Sequence, residues 1–429
     1  MSFEIRSYHP HGGGRRATPP LCSRAEPKRE AMAPATVIFK KARYDAALTS
    51  IVAEMLDALL GNSLQPGMRV LIKPNLLMAS RPERAICAHP LVVRAAADYV
   101  LQKGGHCRIG DSPGIGSFEK ILKDGEYHQA LSDLDVTIAP FTVSTKIDIG
   151  PPFGRIDLCA DVADADLIIN IAKLKSHVQM RLTLGVKNLF GCVVGLKKTE
   201  WHMRVGVDRN LFARLLVQIC QTVHPAVTLV DGILALEGQG PGKSGTPRPI
   251  GVLIGGNNPF AVDAAICRML GTTPDTVPTH QAAKALELVP DIILTLGDAP
   301  MVTGFQFPVI APLEFGPKLF RKFMRRHWVQ RPVVNSAACS LCGKCHRHCP
   351  AGAIQIHRQQ LQFDYDRCIR CYCCVEICKE GALSTRETPA GKLLRHLTAA
   401  GARLRARMHH MHSGGSRRCD NDPTAGQSR

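Results

Sequence analysis

Between residues 36 and 296 the chain alternates short apolar runs with longer segments whose apolar positions recur at helical spacing. Residues 36–40, 69–73, 107–110, 136–140, 166–171, 227–231, 250–254 and 291–296 are short and apolar, which predicts strands. Residues 46–60, 89–103, 118–131, 184–194, 210–223 and 259–270 carry apolar side chains three and four apart, which predicts helices. Gly61 follows the first helix, Pro90 opens the second and Gly104-Gly105 closes it, as helix ends favour. Short strands of continuous apolar character between helices imply an α/β fold, a mainly parallel sheet with helices on both faces. Ligands of such sheets gather at the carboxyl ends of the strands.

Several of those ends are polar or flexible: Lys73-Pro74-Asn75, Asp111-Ser112-Pro113-Gly114, Lys173 to His177, Asp231-Gly232 and Gly255-Gly256-Asn257-Asn258. One such ending is ordinary, because loops are polar. Together on one sheet they would build a site. Lys73, Lys173, Lys175 and Lys187, with Asn75 and Asn188 as amide partners, suit a carboxylate or phosphate on a substrate. His177, with an ordinary pKa near neutrality, is expected to move a proton, with Lys175 and Asp231 as its catalytic companions. The competing reading makes the lysines solvated surface charges and His177 a backbone cap. Asp263 falls inside the 259–270 helix, where charge compensation at the helix start competes with a site role.

Two glycine-rich stretches do not read as nucleotide sites. Residues 238–244 lack the first glycine of a phosphate-binding loop, Glu237 standing there, and Pro247 and Pro249 follow where a helix should open. A flexible lid over the sheet end is expected instead. Residues 110–116 lack dinucleotide spacing. Cys87, Cys107, Cys159, Cys192, Cys220 and Cys267 are scattered, and core packing is expected for them.

The densest chemistry lies near the C-terminal end. Cys339, Cys342, Cys345 and Cys349, then Cys368, Cys371, Cys374 and Cys378, each have C-x2-C-x2-C-x3-C spacing. Three thiolates on a tight loop reach three irons of one cubane, and the fourth reaches the other cluster. Cys339, Cys342, Cys345 and Cys378 would hold one [4Fe–4S] cluster; Cys368, Cys371, Cys374 and Cys349 would hold a second. Structural zinc commonly uses separated C-x-x-C pairs, and a disulfide framework needs a secretory context. Cys373 is an extra thiol, an alternative ligand or a free group, and Lys379 stands where Pro350 closes the first half.

Composition narrows the setting. The 429 residues suggest two or three domains. No run approaches the ~18–20 apolar residues of a membrane span, and Arg15-Arg16 is followed by Ala17-Thr18-Pro19-Pro20, not by the apolar core of a signal peptide. Seventeen cysteines without an export signal fit a reducing cytoplasm. The net charge of +18 could attract nucleic acid, anionic lipid or an acidic redox partner. Without a nucleic-acid module and with few aromatics, specific nucleic-acid binding is not expected. Residues 318–328 and 392–408 read as basic amphipathic segments; packing against the cysteine domain is favoured over lying on a membrane. His409, His410 and His412 belong to a polar tail.

Residues 335–386 resemble a bacterial-type two-cluster ferredoxin, the Ala351-Gly352-Ala353-Ile354 and Glu380-Gly381-Ala382-Leu383 runs repeating its half-unit. Residues 36–300 resemble the DUF362 family. That resemblance is carried by Lys73-Pro74-Asn75-Leu76, by Gly110 to Gly114 and by Asn170 to His177. Gly185-Val186-Lys187-Asn188, Val230-Asp231-Gly232, Glu237 to Pro241 and Asn258 to Asp263 carry it further. It implies an α/β domain joined to a ferredoxin-type module and associates some relatives with reductive activation or electron delivery. The expected division is a disordered extension (1–34), an α/β domain (35–300), a basic linker (301–334), a small α+β two-cluster domain (335–386) and a basic, partly disordered tail (387–429). Met32 is an alternative start. The expected function is passage of electrons through two [4Fe–4S] clusters to a domain that reduces a small anionic substrate, as an iron–sulfur oxidoreductase. The alternative is an electron-transfer or activation partner whose α/β domain docks another protein without turnover.

Overall fold

The computed structural model describes residues 33–113, 116–195, 197–205, 208–308, 327, 329–390 and 392–393. Almost all of the N-terminal extension, nearly all of the two basic amphipathic segments, the tail histidines and Gly114 lie outside these residues.

In chain order, β1 (Ala35–Lys41) leads to α1 (Ala47–Leu60), β2 (Arg69–Pro74) to α2 (Pro90–Gln102), and β3 (His106–Asp111) to α3 (Phe118–Asp124) and α4 (Tyr127–Leu131). Next come β4 (Val136–Pro140), the hairpin β5 (Ser144–Asp148) and β6 (Arg155–Cys159), and α5 (Ala160–Asp164). The long β7 (Leu167–His177) turns into β8 (Arg181–Thr183), followed by α6 (Gly185–Asn188), α7 (Lys197–Val205) and α8 (Arg209–Val223). The hairpin β9 (Val227–Gly238) and β10 (Gly245–Gly256), then α9 (Pro259–Met269), α10 (Pro278–Ala285) and β11 (Ile293–Leu296), complete this part.

Among the described residues nine strands form one sheet in the order β11-β1-β10-β9-β7-β2-β3-β4, with β8 beside β7. Neighbours from β9 through β7, β2 and β3 to β4 are parallel. β10 runs antiparallel between β9 and β1. The fold is therefore α/β with a mostly parallel sheet. Alternation along the strands divides the two faces. Val70, Ile72, Ile169 and Ile171 pack with Val52, Met55 and Leu56 of α1 and Val92 and Val93 of α2. Leu71 and Ile168 face the other way, toward Phe212, Leu215 and Leu216 of α8. Each fully buried side chain of this kind stabilises the fold by roughly 1.5–3 kcal/mol.

The helix expected over 184–194 is only partly formed: α6 is followed by a tighter turn over Leu189–Cys192. Asn188 explains the change. Its amide donates to Asn170 Oδ1 at 2.8 Å and to Ile171 O at 3.2 Å, holding the chain against β7. A Cβ on Gly191 would collide with Asp111 and Lys73, so backbone sits where a side chain would normally project.

The C-terminal part consists of β12 (Arg331–Val334), α11 (Lys344–Arg347), β13 (Ile354–His357), β14 (Gln360–Phe363), α12 (Cys373–Ile377) and β15 (Leu383–Arg386). β12 pairs with β15 and β13 with β14, both antiparallel, giving a small α+β unit. Its two halves turn alike. Leu341 and Gly343 before α11, and Arg370 and Tyr372 before α12, all have left-handed backbones.

Candidate functional site at the junction with the cysteine-rich segment

The lysines at the strand ends are buried, not solvated. Lys73, Lys173 and Lys175 are at most 1% exposed. Burying a charge is costly unless it is paired or hydrogen-bonded, so each partner set matters. Lys73 Nζ lies 3.1 Å from Asp111 Oδ1 and donates to Asn188 O and Oδ1 at 2.8 and 3.1 Å. Asp111 is fixed in turn by the amides of Leu76 and Ser112, each at 2.8 Å. Asn75 bridges the set, donating to Asn188 Oδ1 at 2.8 Å and accepting from Lys175 Nζ at 2.7 Å.

Lys175 has no carboxylate partner among the described residues; its second acceptor is Ile86 O at 2.6 Å. Burial pushes its ammonium down to about 7. Lys187 has no hydrogen-bond acceptor among the described residues and stands 5.9 Å from the Phe190 ring centre and 6.0 Å from that of Phe212. Burial lowers its pKa as well.

Lys173 and Asp231 form a separate group. Their charges meet at 2.7 Å, both wholly buried. Tyr44 donates to Asp231 Oδ1 at 2.7 Å and accepts from Lys173 at 3.1 Å, while the His89 amide donates to Asp231 Oδ2 at 2.9 Å. The His89 ring stacks on Tyr44 with 3.6 Å between centres. This network is closed on itself and supports the sheet.

Lys73, Asn75, Lys175, His177, Lys187 and Asn188 instead line one cavity of about 310 Å³. Its far wall comes from the cysteine-rich unit: His348, Cys373, Glu376 and Ile377. Thr183, Lys198 and His202 line it too, although no sequence pattern singled them out. Lys198 donates to Ser112 O, and burial lowers its ammonium to about 8. Asp263 is elsewhere, with burial raising its carboxyl to about 7 while it accepts from the Gly185 and Val186 amides.

His177 accepts from the amides of Gln179 and Met180 at Nδ1, each at 3.1 Å, which leaves the proton on Nε2. Burial drives its pKa down to about 4, so the ring is neutral at pH 7. Nε2 approaches Glu376 Oε1 at 3.0 Å without hydrogen-bond alignment. Burial alone would raise the Glu376 carboxyl, but the facing His177 ring, and after it Lys187 and His202, hold it below the usual range. Among the described residues, His177 Nε2, Thr183 Oγ1, His202 Nδ1 and Glu376 Oε1 are buried atoms without a hydrogen-bond partner. Buried polar atoms are normally satisfied, so Thr183 Oγ1 and His202 Nδ1, which face no polar partner, call for water or a polar guest in the cavity.

The glycine-rich 238–245 segment is pinned between the sheet and the cysteine-rich unit, contrary to the expected flexible lid. Val178 N donates to Gly240 O at 3.2 Å, and Gly240 N donates to Ser176 Oγ at 3.1 Å. Across the junction, Ser244 Oγ donates to Leu383 O at 3.0 Å and Thr385 Oγ1 to Gln239 Oε1 at 2.8 Å. Val178 itself packs with Ile354, Leu361, Tyr372, Val375 and Leu383. The sheet end and the cysteine-rich unit thus share an apolar contact beside the cavity.

Two small cavities occupy the cysteine-rich unit. Cys339, Cys342, Cys345 and Cys378 line one; Cys349, Cys368, Cys371 and Cys374 line the other. Sets of four thiols around an enclosed space fit the donor chemistry of an iron–sulfur cubane. Cys373 belongs to neither wall; it faces the junction cavity. Ile377 separates the first cysteine cavity from the junction cavity, lining both.

Comparison with known proteins agrees with this division. Residues 70–268 match the model described as "Domain of unknown function (DUF362)", and residues 331–379 match a 4Fe-4S dicluster domain. A thylakoid-associated protein of Synechocystis sp. is 36% identical over 303 residues, covering 68% of this chain and 94% of that protein. A component of the ion-translocating oxidoreductase complex from Methanosarcina acetivorans is 38% identical over 54 residues, 13% of this chain and 20% of its own length. The PorD component of pyruvate synthase from Methanocaldococcus jannaschii is 34% identical over 55 residues, 13% of this chain and 64% of its own length. The lactate racemase apoprotein of Thermoanaerobacterium thermosaccharolyticum overlaps with a TM-score of 0.32 at 13% identity, over 48% of this chain and 52% of that one, too distant to carry an argument. The C-terminal unit is accordingly an iron–sulfur electron-transfer domain. Among the described residues no helix is long and apolar enough to cross a membrane.

Proposed function

The chain belongs to the DUF362 family and carries a 4Fe–4S dicluster domain near its C-terminal end, and from that premise we propose that it is an oxidoreductase acting on a small anionic substrate in the junction cavity. In this reading residues 35–300 form the substrate domain and residues 335–386 the two-cluster domain, with Cys339, Cys342, Cys345 and Cys378 as one ligand set and Cys349, Cys368, Cys371 and Cys374 as the other. When bound, the two clusters would supply single electrons at low potential. The observation carrying the proposal is the shared wall: one cavity is lined by buried lysines from the sheet and by Cys373, Glu376 and Ile377 from the cysteine-rich unit.

The side chains divide the work. Lys187 and Lys198, with Lys175 when protonated, attract a carboxylate or phosphate. Lys73, Asn75 and Asn188 hold that array rigid. His177 is neutral at pH 7 and its Nε2–H faces Glu376, so it serves as a neutral hydrogen-bond donor at the cavity wall and not as a charged acid. Asp231 and Lys173 support the sheet behind the cavity. The 238–245 segment closes the junction and limits water. A reducing cytoplasm and a protein redox partner complete the reading.

The test is a screen of small carboxylates and phosphates against the anaerobic, cluster-loaded protein, followed by Lys187→Gln and His177→Gln variants. Loss of ligand binding and reduction with iron content unchanged supports an enzyme. If these variants lose only the binding of a partner protein, the α/β domain is a docking module without turnover.

A further inference from the structure

The exposed edge of the cysteine-rich unit carries a cluster of cations with no carboxylate partner among the described residues. Cys342 is an exposed cysteine at that edge. Arg347 Nη2 donates to Cys342 O at 3.3 Å, so its guanidinium folds over the loop. The Lys344 side chain meets that of Lys379, with Arg347 close by. Among the described residues none of these three cations pairs with a carboxylate; Glu380 is a nearby acid at the rim. Three cations against one carboxylate leave a local excess of positive charge beside a cysteine that reaches solvent.

The two halves differ here. Pro350 follows the last cysteine of the first half, whereas Lys379 follows the last cysteine of the second. The repeat is therefore broken by a charge, and that charge falls beside the wall formed by Cys339, Cys342, Cys345 and Cys378. A loaded cluster would carry negative charge behind this rim, while Arg347 and Lys379 stand exposed at its solvent side, so an acidic surface would meet positive charge first on docking.

We propose that Lys344, Arg347 and Lys379 form the docking face for an acidic electron-transfer protein, which would approach at the Cys342 edge. The proposal rests on the reading of Cys342 as a cluster ligand. Charge steers such encounters, speeds association and makes affinity fall with salt.

The experiment is equilibrium binding of the holoprotein to an acidic plant-type [2Fe–2S] ferredoxin by calorimetry, at low and at moderate salt. Lys379→Glu alone, and Lys344→Glu with Arg347→Glu and Lys379→Glu, are compared with Arg358→Glu/Arg367→Glu elsewhere on the same unit. The single variant is expected to weaken binding severalfold, and the triple variant by about tenfold or more at low salt. The Arg358/Arg367 variant should stay within about twofold, and wild-type affinity should fall as salt rises. Iron and sulfide analysis of the same samples tests the ligand reading separately. Unchanged binding by Lys379→Glu, equal loss in the Arg358/Arg367 variant, or salt-independent affinity would overturn the proposal. So would attachment of the wild type, but not of the Lys379→Glu variant, to phosphatidylglycerol vesicles without ferredoxin binding, which would reassign the face to lipid.

Discussion

His177 Nε2 stands 3.0 Å from Glu376 Oε1, bringing the last residue of β7 against helix α12 of the cysteine-rich unit. Glu376 lies between the last two cysteines of the second motif, and His177 ends the strand that supplies Lys173 and Lys175. The contact therefore ties the iron–sulfur unit to the half proposed to bind an anion. Glu376→Ala should leave Lys187 with less compensation and lower stability by about 1–3 kcal/mol, with Glu376→Gln intermediate. Denaturant unfolding of the holoprotein measures both.

Asp231 supplies a separate prediction. Its carboxylate lies within the closed network of Lys173, Tyr44 and the His89 amide, away from the cavity. Asp231→Asn leaves a fully buried ammonium without its counter-charge, and a loss of about 3–5 kcal/mol is expected. Replacing both partners, as Lys173→Met/Asp231→Leu, should recover much of that loss, because burying no charge is less costly than burying one alone. A catalytic Asp231 would instead show full stability in Asp231→Asn with ligand turnover abolished.

The lysines make ligand binding pH-dependent. Burial lowers Lys175 to about 7 and Lys198 to about 8, from an ordinary value of 10.5. The deprotonated forms attract anions less, so affinity for an anionic ligand should fall as pH rises through 7 to 8. Stability moves oppositely. Between about pH 7 and 10.5 the unfolded chain binds more protons at Lys175 than the folded chain does, so this group makes stability rise with pH there. Calorimetric titration and denaturant midpoints across that range check the two signs. Lys175→Met should flatten both.

Much of this arrangement was legible in the chain. Lys73, Asn75 and Lys175 announced themselves by standing after apolar runs, whereas Lys187 and Asn188 fell inside the segment read as a helix; the sheet and α6 bring all five to one cavity. Lys173 and Asp231 have the same local pattern, yet a register shift in the β7–β9 pairing after Lys173 coincides with their separation from the rest. Thr183, Lys198 and His202 gave no linear signal, because they reach the cavity through β8 and α7, elements whose positions depend on tertiary packing. Glu376 was hidden inside a motif read for its cysteines. The 238–245 segment looked flexible because it has few side chains to pack. Its close backbone approaches explain the glycines: a Cβ on Gly240 would collide with Ser176, and one on Gly242 would crowd the Glu376 backbone.

The same close approach yields a test of the junction. Gly240→Ala must displace the loop from β7 or the loop from the cysteine-rich unit. The expected outcome is faster proteolytic cleavage within 238–245 and weaker ligand binding, with the cysteine ligand sets untouched. Limited proteolysis beside iron analysis distinguishes this from general unfolding.

The most direct measurement is anaerobic purification with iron and sulfide analysis and low-temperature EPR of the reduced protein, before and after adding a ligand from the anion screen. Two cubanes beside the cavity predict about eight irons and eight sulfides per chain, a reduced [4Fe–4S] spectrum, and a change in that spectrum on ligand binding that Lys187→Gln abolishes. Zinc or no metal in the cysteine-rich unit, or a spectrum indifferent to every bound anion, would contradict an oxidoreductase built across this junction.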